Sequence, residues 1–135
     1  MLSPDLQRLS HIRDYCVEIQ NTIKRYGKDF TVFDADHDYQ RSISFSIMQI
    51  GELSGGLSDE FRKETSGRIQ WGPIKAMRNL FAHNYGHMDR DIIWETATTD
   101  IPVLRDFCNE YISREQQPQR RNDTEAVQED WEPEL

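Results

Sequence analysis

Residues 4–26, PDLQRLSHIRDYCVEIQNTIKRY, decide the fold class of this chain. Ser3 and Pro4 are a typical N-cap and first helical residue, and Gly27 is a typical residue at the end of a helix. Between them, apolar side chains recur every three or four residues: Leu6, Leu9, Ile12, Cys16, Ile19, Ile23 and Tyr26. Because this spacing averages about 3.5 residues, it predicts a long helix of an antiparallel bundle.

The segments that follow repeat this helical spacing. A second helix, ended by Gly55-Gly56, has its apolar residues three or four apart: Ile43, Ile47, Ile50 and Leu53. Ser58 opens a short third helix around Phe61, which closes near Gly67. Residues 28–36, between the first two helices, are predicted to form an acidic loop.

Two more helices complete the domain. A fourth helix starts near Trp71, tolerates Pro73 in its first turn and has an apolar face: Ile74, Met77, Leu80 and Phe81. A last helix, capped by Asp89, contains Pro102, which should kink or break it. Its apolar positions are Ile93, Ala97, Ile101, Leu104, Cys108 and Tyr111. The chain is therefore predicted to be all-α, an antiparallel bundle of four to five helices.

Charge and composition divide the chain into a domain and a tail. The 135 residues include 16 basic and 24 acidic side chains, for a net charge of −8. Residues 1–115 are predicted to form one helical domain. Residues 116–135 are polar and acidic, with too few apolar side chains to offset the cost of ordering, so we predict a disordered tail. Neither part has a basic stripe, so any recognition of RNA must be local.

The compartment is predicted from three absences. The segment Met1–Asp5 lacks the charged and apolar regions of a signal peptide. No stretch approaches the ~18 apolar residues that a membrane span requires. Cys16 and Cys108 occupy apolar helical positions, which favours two buried free thiols over a disulfide or a metal site. We expect a cytoplasmic protein that does not bind a membrane.

The octet at residues 78–85, RNLFAHNY, concentrates the useful chemistry of the chain. Arg78 offers a planar cation suited to phosphate. His83 is the side-chain type that titrates near neutral pH. Asn79 has both a donor and an acceptor, and Tyr85 has a hydroxyl. These groups can bind a phosphodiester and move protons around it without a metal ion.

The octet, with its Arg-x4-His-x-Tyr pattern, resembles the signature of the HEPN superfamily and is most similar to its HepT-like ribonuclease toxins. Flanking segments resemble the same family: Ile50-Gly51-Glu52, Trp71–Met77, Ile93-Trp94-Glu95-Thr96 and Asp100-Ile101-Pro102. The resemblance covers residues 4–112. It implies a HEPN-like helical fold and the toxin of a type VII-like toxin–antitoxin pair.

The spacing of Arg78 and His83 poses a geometric problem. On a regular helix the two are about 140° apart around the axis and about 7.5 Å apart along it, so one straight helix cannot bring both to one phosphate. Two solutions are open: the helix ends near Ala82, or two octets face each other across a two-fold axis. The resemblance favours both and implies a homodimer with a composite cleft.

Together with this resemblance, the octet predicts an endoribonuclease that needs no metal ion or cofactor. His83 would act as general base or acid on the ribose 2′-hydroxyl or the leaving 5′-oxygen. Arg78 would hold the scissile phosphate and stabilise the charge of the transition state, and Asn79 would orient His83 or the phosphate. Because the reaction needs the 2′-hydroxyl, RNA and not DNA would be cut, leaving a 2′,3′-cyclic phosphate and a 5′-hydroxyl.

The resemblance also implies a partner. HepT-like toxins are often encoded beside a minimal nucleotidyltransferase antitoxin of the MntA type, which transfers AMP to the motif tyrosine, here Tyr85. The adenylyl group would add a negative charge beside Arg78 and His83 and repel the RNA phosphate.

Other interpretations remain open at several positions. Glu52 either reaches the same cleft or caps a buried polar contact. Arg78 also fits a surface cation in the C-terminal half of a helix, and Tyr85 fits an aromatic at the edge of the core. His83 also fits a helix C-cap or a satisfied buried histidine. Four further residues are expected to be solvated or ordinary surface positions: His11, His37, Tyr39 and Arg41. The alternative functions are a non-catalytic nucleotide- or RNA-binding HEPN module and a helical interaction partner of a nucleotidyltransferase.

Overall fold

The structure is a computed structural model that describes residues 3–84 and 90–131, with the side chains of residues 79–84 and 117–131 outside the description. The described residues form an all-α bundle without a strand, which confirms the predicted fold class. The helical segments are α1 Pro4–Tyr26, α2 Phe30–Ala35, α3 His37–Gly55, α4 Asp59–Glu64, α5 Trp71–Asn84, α6 Arg90–Glu95, a π-helical turn Thr96–Asp100, and α7 Ile101–Trp131.

The ends of α1 and α4 are formed by the capping residues that the sequence indicated. Ser3 Oγ accepts a hydrogen bond from the N–H of Leu6 at 3.2 Å. Gly27 closes α1 with a φ of 112°, a conformation that side-chain-bearing residues rarely adopt. Ser58 Oγ accepts from the N–H of Phe61 at the start of α4. The predicted starts of both helices are confirmed.

Contacts between helix ends show that α1 and α3 are antiparallel. Tyr26 at the end of α1 stacks on Tyr39 at the start of α3, with ring centroids 4.7 Å apart. At the other end of the pair, the Arg8 side chain lies against Gly56, which follows α3. Helix α7 packs on α1, and α5 packs on α3. Trp71 at the start of α5 also contacts Phe107 of α7, with ring centroids 6.0 Å apart, so α5 meets both α3 and α7.

The predicted acidic loop at residues 28–36 is wrong, because this segment contains α2. Asp29 caps the helix by accepting a hydrogen bond from the N–H of Thr31 at 2.8 Å. Phe33 is fully buried, and its ring centroid lies 5.1 Å from that of Trp94. Burial of this one aromatic side chain against a distant helix stabilises a segment too short to show a helical period.

Tyr39 is also not the surface residue that the sequence predicted. It is fully buried at the start of α3, in a cluster that we call the aromatic cluster: Tyr26, Phe30, Phe33, Tyr39 and Trp94. Its hydroxyl donates a hydrogen bond to the Gly27 carbonyl at 2.9 Å, so the buried polar group has a partner. Burial raises the pKa of Tyr39 to about 12.

The predicted last helix is divided just before Pro102. Between α6 and α7, the N–H of Ile101 donates to the carbonyl of Thr96, five residues earlier, in a π-helical turn. Pro102 has no N–H to donate, and the wider turn accommodates it without a complete break. Asp89, the predicted cap, lies outside the described residues. The domain boundary at residue 115 and the disorder of residues 116–135 remain predictions.

Buried thiols and exposed histidines agree with the sequence. Cys16 and Cys108 are free and fully buried. Burial raises the pKa of the Cys16 thiol to about 12 and raises that of Cys108 as well, so neither is poised as a nucleophile. His11 and His37 are exposed. Within the described part of the chain, no helix is both long and apolar enough to cross a membrane.

Candidate functional site

The contact between α3 and α5, which we call the α3–α5 seam, is built around Gly51. A Cβ atom at this position would lie 3.0 Å from both the Cβ and the backbone nitrogen of Arg78 and 3.2 Å from the carbonyl oxygen of Ile74. Any larger residue would therefore push the two helices apart. One turn along α3, a Cβ on Gly55 would lie 3.7 Å from Lys75 Cε, an ordinary contact. Since position 51 faces 78 and position 55 faces 75, the two helices are antiparallel.

This close approach brings Glu52 to Arg78. Arg78 Nε and Glu52 Oε1 form an ion pair. The arginine side chain is 50% exposed and the glutamate side chain 62% exposed, so the pair contributes little to stability but limits where the guanidinium points. Glu52 was expected either to reach the cleft or to cap a buried polar contact, and the structure places its exposed carboxylate beside Arg78.

A cavity of about 340 Å³ opens beside this ion pair. Its floor is the C-terminal half of α3, and its wall is α5: Gly51, Glu52, Gly55, Gly56, Lys75 and Arg78 line it. The cavity therefore combines two cations with one carboxylate on a floor almost free of side chains. Lys75 was not singled out from the sequence, although its position three residues before Arg78 places it one helical turn away.

The structure describes only part of the remaining octet. Asn79 and His83 belong to α5, but their side chains lie outside the described residues, and Tyr85 lies outside them altogether. Helix α5 is described as far as Asn84, two residues beyond the suggested end near Ala82. With His83 on the same helix as Arg78, the two positions remain about 140° apart around one axis.

A second cavity, of about 370 Å³, lies on another face of α5. Ile74, Met77 and Leu104 contribute to a mostly apolar lining, and the π-helical turn supplies Asp100. Burial is the main cause of the raised pKa of the Asp100 carboxyl, and the nearby charge of Glu95 raises it further. Of its described lining residues only Arg68 is a cation, and Arg68 already forms an ion pair with Glu110 at 2.6 Å. This cavity is therefore the weaker candidate for phosphate chemistry.

The described residues offer no cluster of metal ligands. There, no group of three or more histidine, cysteine, aspartate or glutamate side chains is arranged to hold a metal ion. The candidate site therefore consists, as far as it is described, of Arg78, Glu52 and Lys75 around a glycine-lined cavity.

Comparison with known proteins gives a family match across most of the chain. Residues 8–111 match the model of the family described as ribonuclease HepT-like. This range includes the α3–α5 seam and the whole octet. No solved structure gave a significant match.

Three named relatives agree with that match. A Caldanaerobacter subterraneus subsp. tengcongensis protein, whose name assigns it provisionally as an RNase, is 33% identical over 107 residues, covering 79% of this chain and 93% of the relative. A Thermococcus cleftensis protein named probable ribonuclease HepT is 28% identical, covering 69% of this chain and 88% of the relative. A second provisionally named RNase, from Methanocaldococcus jannaschii, is 25% identical, covering 58% and 80% respectively.

Proposed function

Because the chain belongs to the HepT-like ribonuclease family, we propose that it is a metal-independent endoribonuclease whose active site is shared between two copies of the chain. The observation that carries this proposal is Arg78, a family-motif residue that lines an open cavity and pairs with Glu52. A half-exposed guanidinium limited by a carboxylate is suited to accept a phosphate from solvent.

The proposed reaction is cleavage by the ribose 2′-hydroxyl. The 2′-oxygen forms a bond to phosphorus as its proton leaves, and the bond from phosphorus to the 5′-oxygen breaks as that oxygen gains a proton. His83 performs one of these proton transfers, and water or the second copy's histidine performs the other. Arg78 holds the phosphate, and Asn79 orients the reacting groups. The products are a 2′,3′-cyclic phosphate and a 5′-hydroxyl.

The continuation of α5 to Asn84 supports the shared site. A helix that stays regular through positions 78 and 83 presents them in different directions, so a second copy must supply the group that one copy cannot. Among the described residues of α5, Ala76 and Arg78 are exposed, so part of the surface of this helix is available for a second α5.

The biological role that we propose is that of a toxin controlled by modification. A cognate MntA-like minimal nucleotidyltransferase would act as the antitoxin and transfer AMP to the Tyr85 hydroxyl. The new phosphodiester would place a negative charge where the RNA phosphate must bind.

The chemistry is tested by measuring RNA cleavage in buffer that contains EDTA, for the parent and for the His83→Ala variant. We expect cleavage to survive chelation in the parent and to fall by at least about 10²-fold in the variant, because a positioned acid–base group typically contributes about 10²–10⁴-fold. His11→Ala, at an exposed histidine of α1, is the matched control. Retained RNA binding without any cleavage in the parent would instead favour the non-catalytic binding module.

The shared site is tested by the size of the particle in solution. Sedimentation at micromolar concentration should show a species of twice the 16.0 kDa chain mass. In a mixture, copies carrying Arg78→Ala and copies carrying His83→Ala should restore part of the activity that each lacks alone. A purely monomeric active enzyme would contradict this arrangement.

The regulatory role is tested with a cognate nucleotidyltransferase and ATP. Mass spectrometry should find one adenylyl group on Tyr85 and a silenced ribonuclease. Tyr85→Phe should keep much of the activity and escape neutralisation. AMP on another residue, or normal neutralisation of the phenylalanine variant by AMP transfer, would overturn the assignment.

A further inference from the structure

Lys75 lies in the same cavity as Arg78 and has no role in the reaction described above. Its side chain runs across Gly55, where a Cβ atom would be 3.7 Å from Cε, 3.8 Å from Cγ and 3.9 Å from Cδ. The absence of a side chain at Gly55 thus leaves room for the lysine stem to lie over α3. An aliphatic stem held along a surface keeps its ammonium in a limited region at the open side of the cavity.

The charge of this cavity is opposite to that of the whole chain. Lys75 and Arg78 against Glu52 give its described lining one excess positive charge, while the chain carries a net charge of −8. Since Glu52 already offsets part of the charge on Arg78, a phosphate arriving there gains from a second cation one helical turn away. A lysine ammonium binds phosphate as a point charge and tolerates variation in the angle of approach.

We propose that Lys75 binds a backbone phosphate of single-stranded RNA next to the phosphate held by Arg78. This inference rests on the proposed ribonuclease function and adds a positioning residue to it. The strand lies across the open side of the cavity, with the Lys75 stem between it and Gly55. Lys75 touches no reacting atom, so it contributes to binding of the strand and not to the chemical step.

The test measures how RNA binding depends on salt. A fluorescein-labelled single-stranded RNA 12-mer is titrated with the full chain carrying His83→Ala, so that it is not cut, over a range of sodium chloride concentrations. Removing one phosphate contact lowers the slope of log K against log salt by about 0.7 for single strands. In that background we expect Lys75→Gln to show this decrease and a three- to tenfold weaker affinity. Lys75→Arg should restore the slope, and Lys24→Gln, at an exposed lysine of α1, should not change it.

A second pair of variants adds a carboxylate at two positions, one in the lining of the cavity and one outside it. Gly55→Glu brings a carboxylate beside Lys75, with its Cβ at an ordinary contact distance from the lysine stem, and should weaken RNA binding further than Lys75→Gln. Gly67→Glu makes the same change of charge at a position with no atom within 4 Å, and should leave binding near that of the parent. Circular dichroism checks that all variants remain folded.

Cleavage kinetics separate this inference from the proposed function. With His83 intact, Lys75→Gln should raise KM severalfold and leave kcat within about threefold. If the parent binds and cuts RNA but Lys75→Gln keeps its salt slope and KM, the role of Lys75 is refuted and the ribonuclease remains. If the parent neither binds nor cuts any RNA, the proposed function fails and the inference fails with it.

Discussion

Helix α3 starts in the aromatic cluster and ends in the α3–α5 seam, and these two regions are built in opposite ways. At its start, Tyr39 is fully buried, and its one polar atom donates a hydrogen bond to Gly27. Near its end, Gly51 has no side chain, and the charged neighbours Glu52 and Arg78 are at least half exposed. One helix thus joins a region filled with large side chains to a region left open.

The difference separates stability from chemistry. Burying an aromatic side chain stabilises the fold by several kcal/mol, whereas an exposed ion pair contributes about 0–1 kcal/mol. The seam can therefore present charged groups to a ligand because the aromatic cluster and the rest of the core stabilise the bundle. Substitutions in the two regions should affect different measurements.

The largest expected effect is the loss of cleavage in Arg78→Ala. Removing a group that stabilises transition-state charge typically costs about 10²–10³-fold in rate. Because the side chain is half exposed, the free energy of unfolding should change by no more than about 1 kcal/mol. Single-turnover cleavage and urea unfolding measure the two quantities. An inactive variant that is also strongly destabilised would show that the seam is part of the structural core.

Tyr39→Ala should give the opposite result. Truncating a fully buried aromatic residue typically destabilises a protein by about 3–5 kcal/mol. The cleavage rate per folded molecule should stay within about threefold of the parent, because Tyr39 lies at the far end of α3 from the seam. Phe45→Ala is the control on the same helix, since Phe45 is 55% exposed and should cost less than about 1 kcal/mol. Urea unfolding, at a temperature where both variants fold, measures the two destabilisations. Single-turnover cleavage measures the rate per folded molecule.

The contrast also explains which features the sequence could predict. The caps at Ser3, Gly27 and Ser58 are local, and the long apolar periods need only one helix, so α1, α3, α4 and α5 were predicted close to their observed bounds. Helix α2 and the burial of Tyr39 depend on Trp94, which is more than 50 residues away in the chain. A six-residue helix shows no period, so only its Asp29 cap could have indicated it.

The site was predicted as a set of residues but not as an arrangement. The octet indicated Arg78, and the Gly51-Glu52 pair indicated the facing helix. Their register could not be predicted, because apolar spacing gives the buried face of each helix and not how far one helix is shifted along another. Gly51 was the available signal: a glycine inside an apolar helix often marks a close backbone approach. That signal would also have led to Lys75, one turn before Arg78.

Gly51→Ala should affect both stability and activity. Its new methyl group would lie 3.0 Å from the Cβ and nitrogen of Arg78, so α5 must shift by a few tenths of an ångström. We expect a destabilisation of about 1–3 kcal/mol from overpacking, with reduced cleavage because Arg78 is displaced from Glu52. Gly55→Ala is the matched control, since its methyl group meets only the lysine stem at an ordinary distance. Equal behaviour of the two variants would mean that the seam is more adaptable than its geometry indicates.

The smallest expected effect concerns one hydroxyl in the aromatic cluster. Tyr39→Phe removes the hydrogen bond to the Gly27 carbonyl while keeping the ring, and should destabilise the fold by about 0.5–1.5 kcal/mol near neutral pH. Cleavage should be unchanged. The same variant gives a pH signature, because burial raises the pKa of Tyr39 from its ordinary value of 10.0 to about 12 in the folded chain.

The sign of that signature follows from proton linkage. A group whose pKa is higher in the folded state favours folding while it is protonated, and this contribution is fully present below pH 10. As the pH rises from 10 towards 12, the unfolded chain loses the tyrosine proton more readily than the folded chain, so the parent loses stability. The phenylalanine variant has no such proton, and the stability advantage of the parent should therefore narrow across this range in urea unfolding. A constant difference between the two chains from pH 9 to 12 would mean that the Tyr39 hydroxyl is not buried in the aromatic cluster.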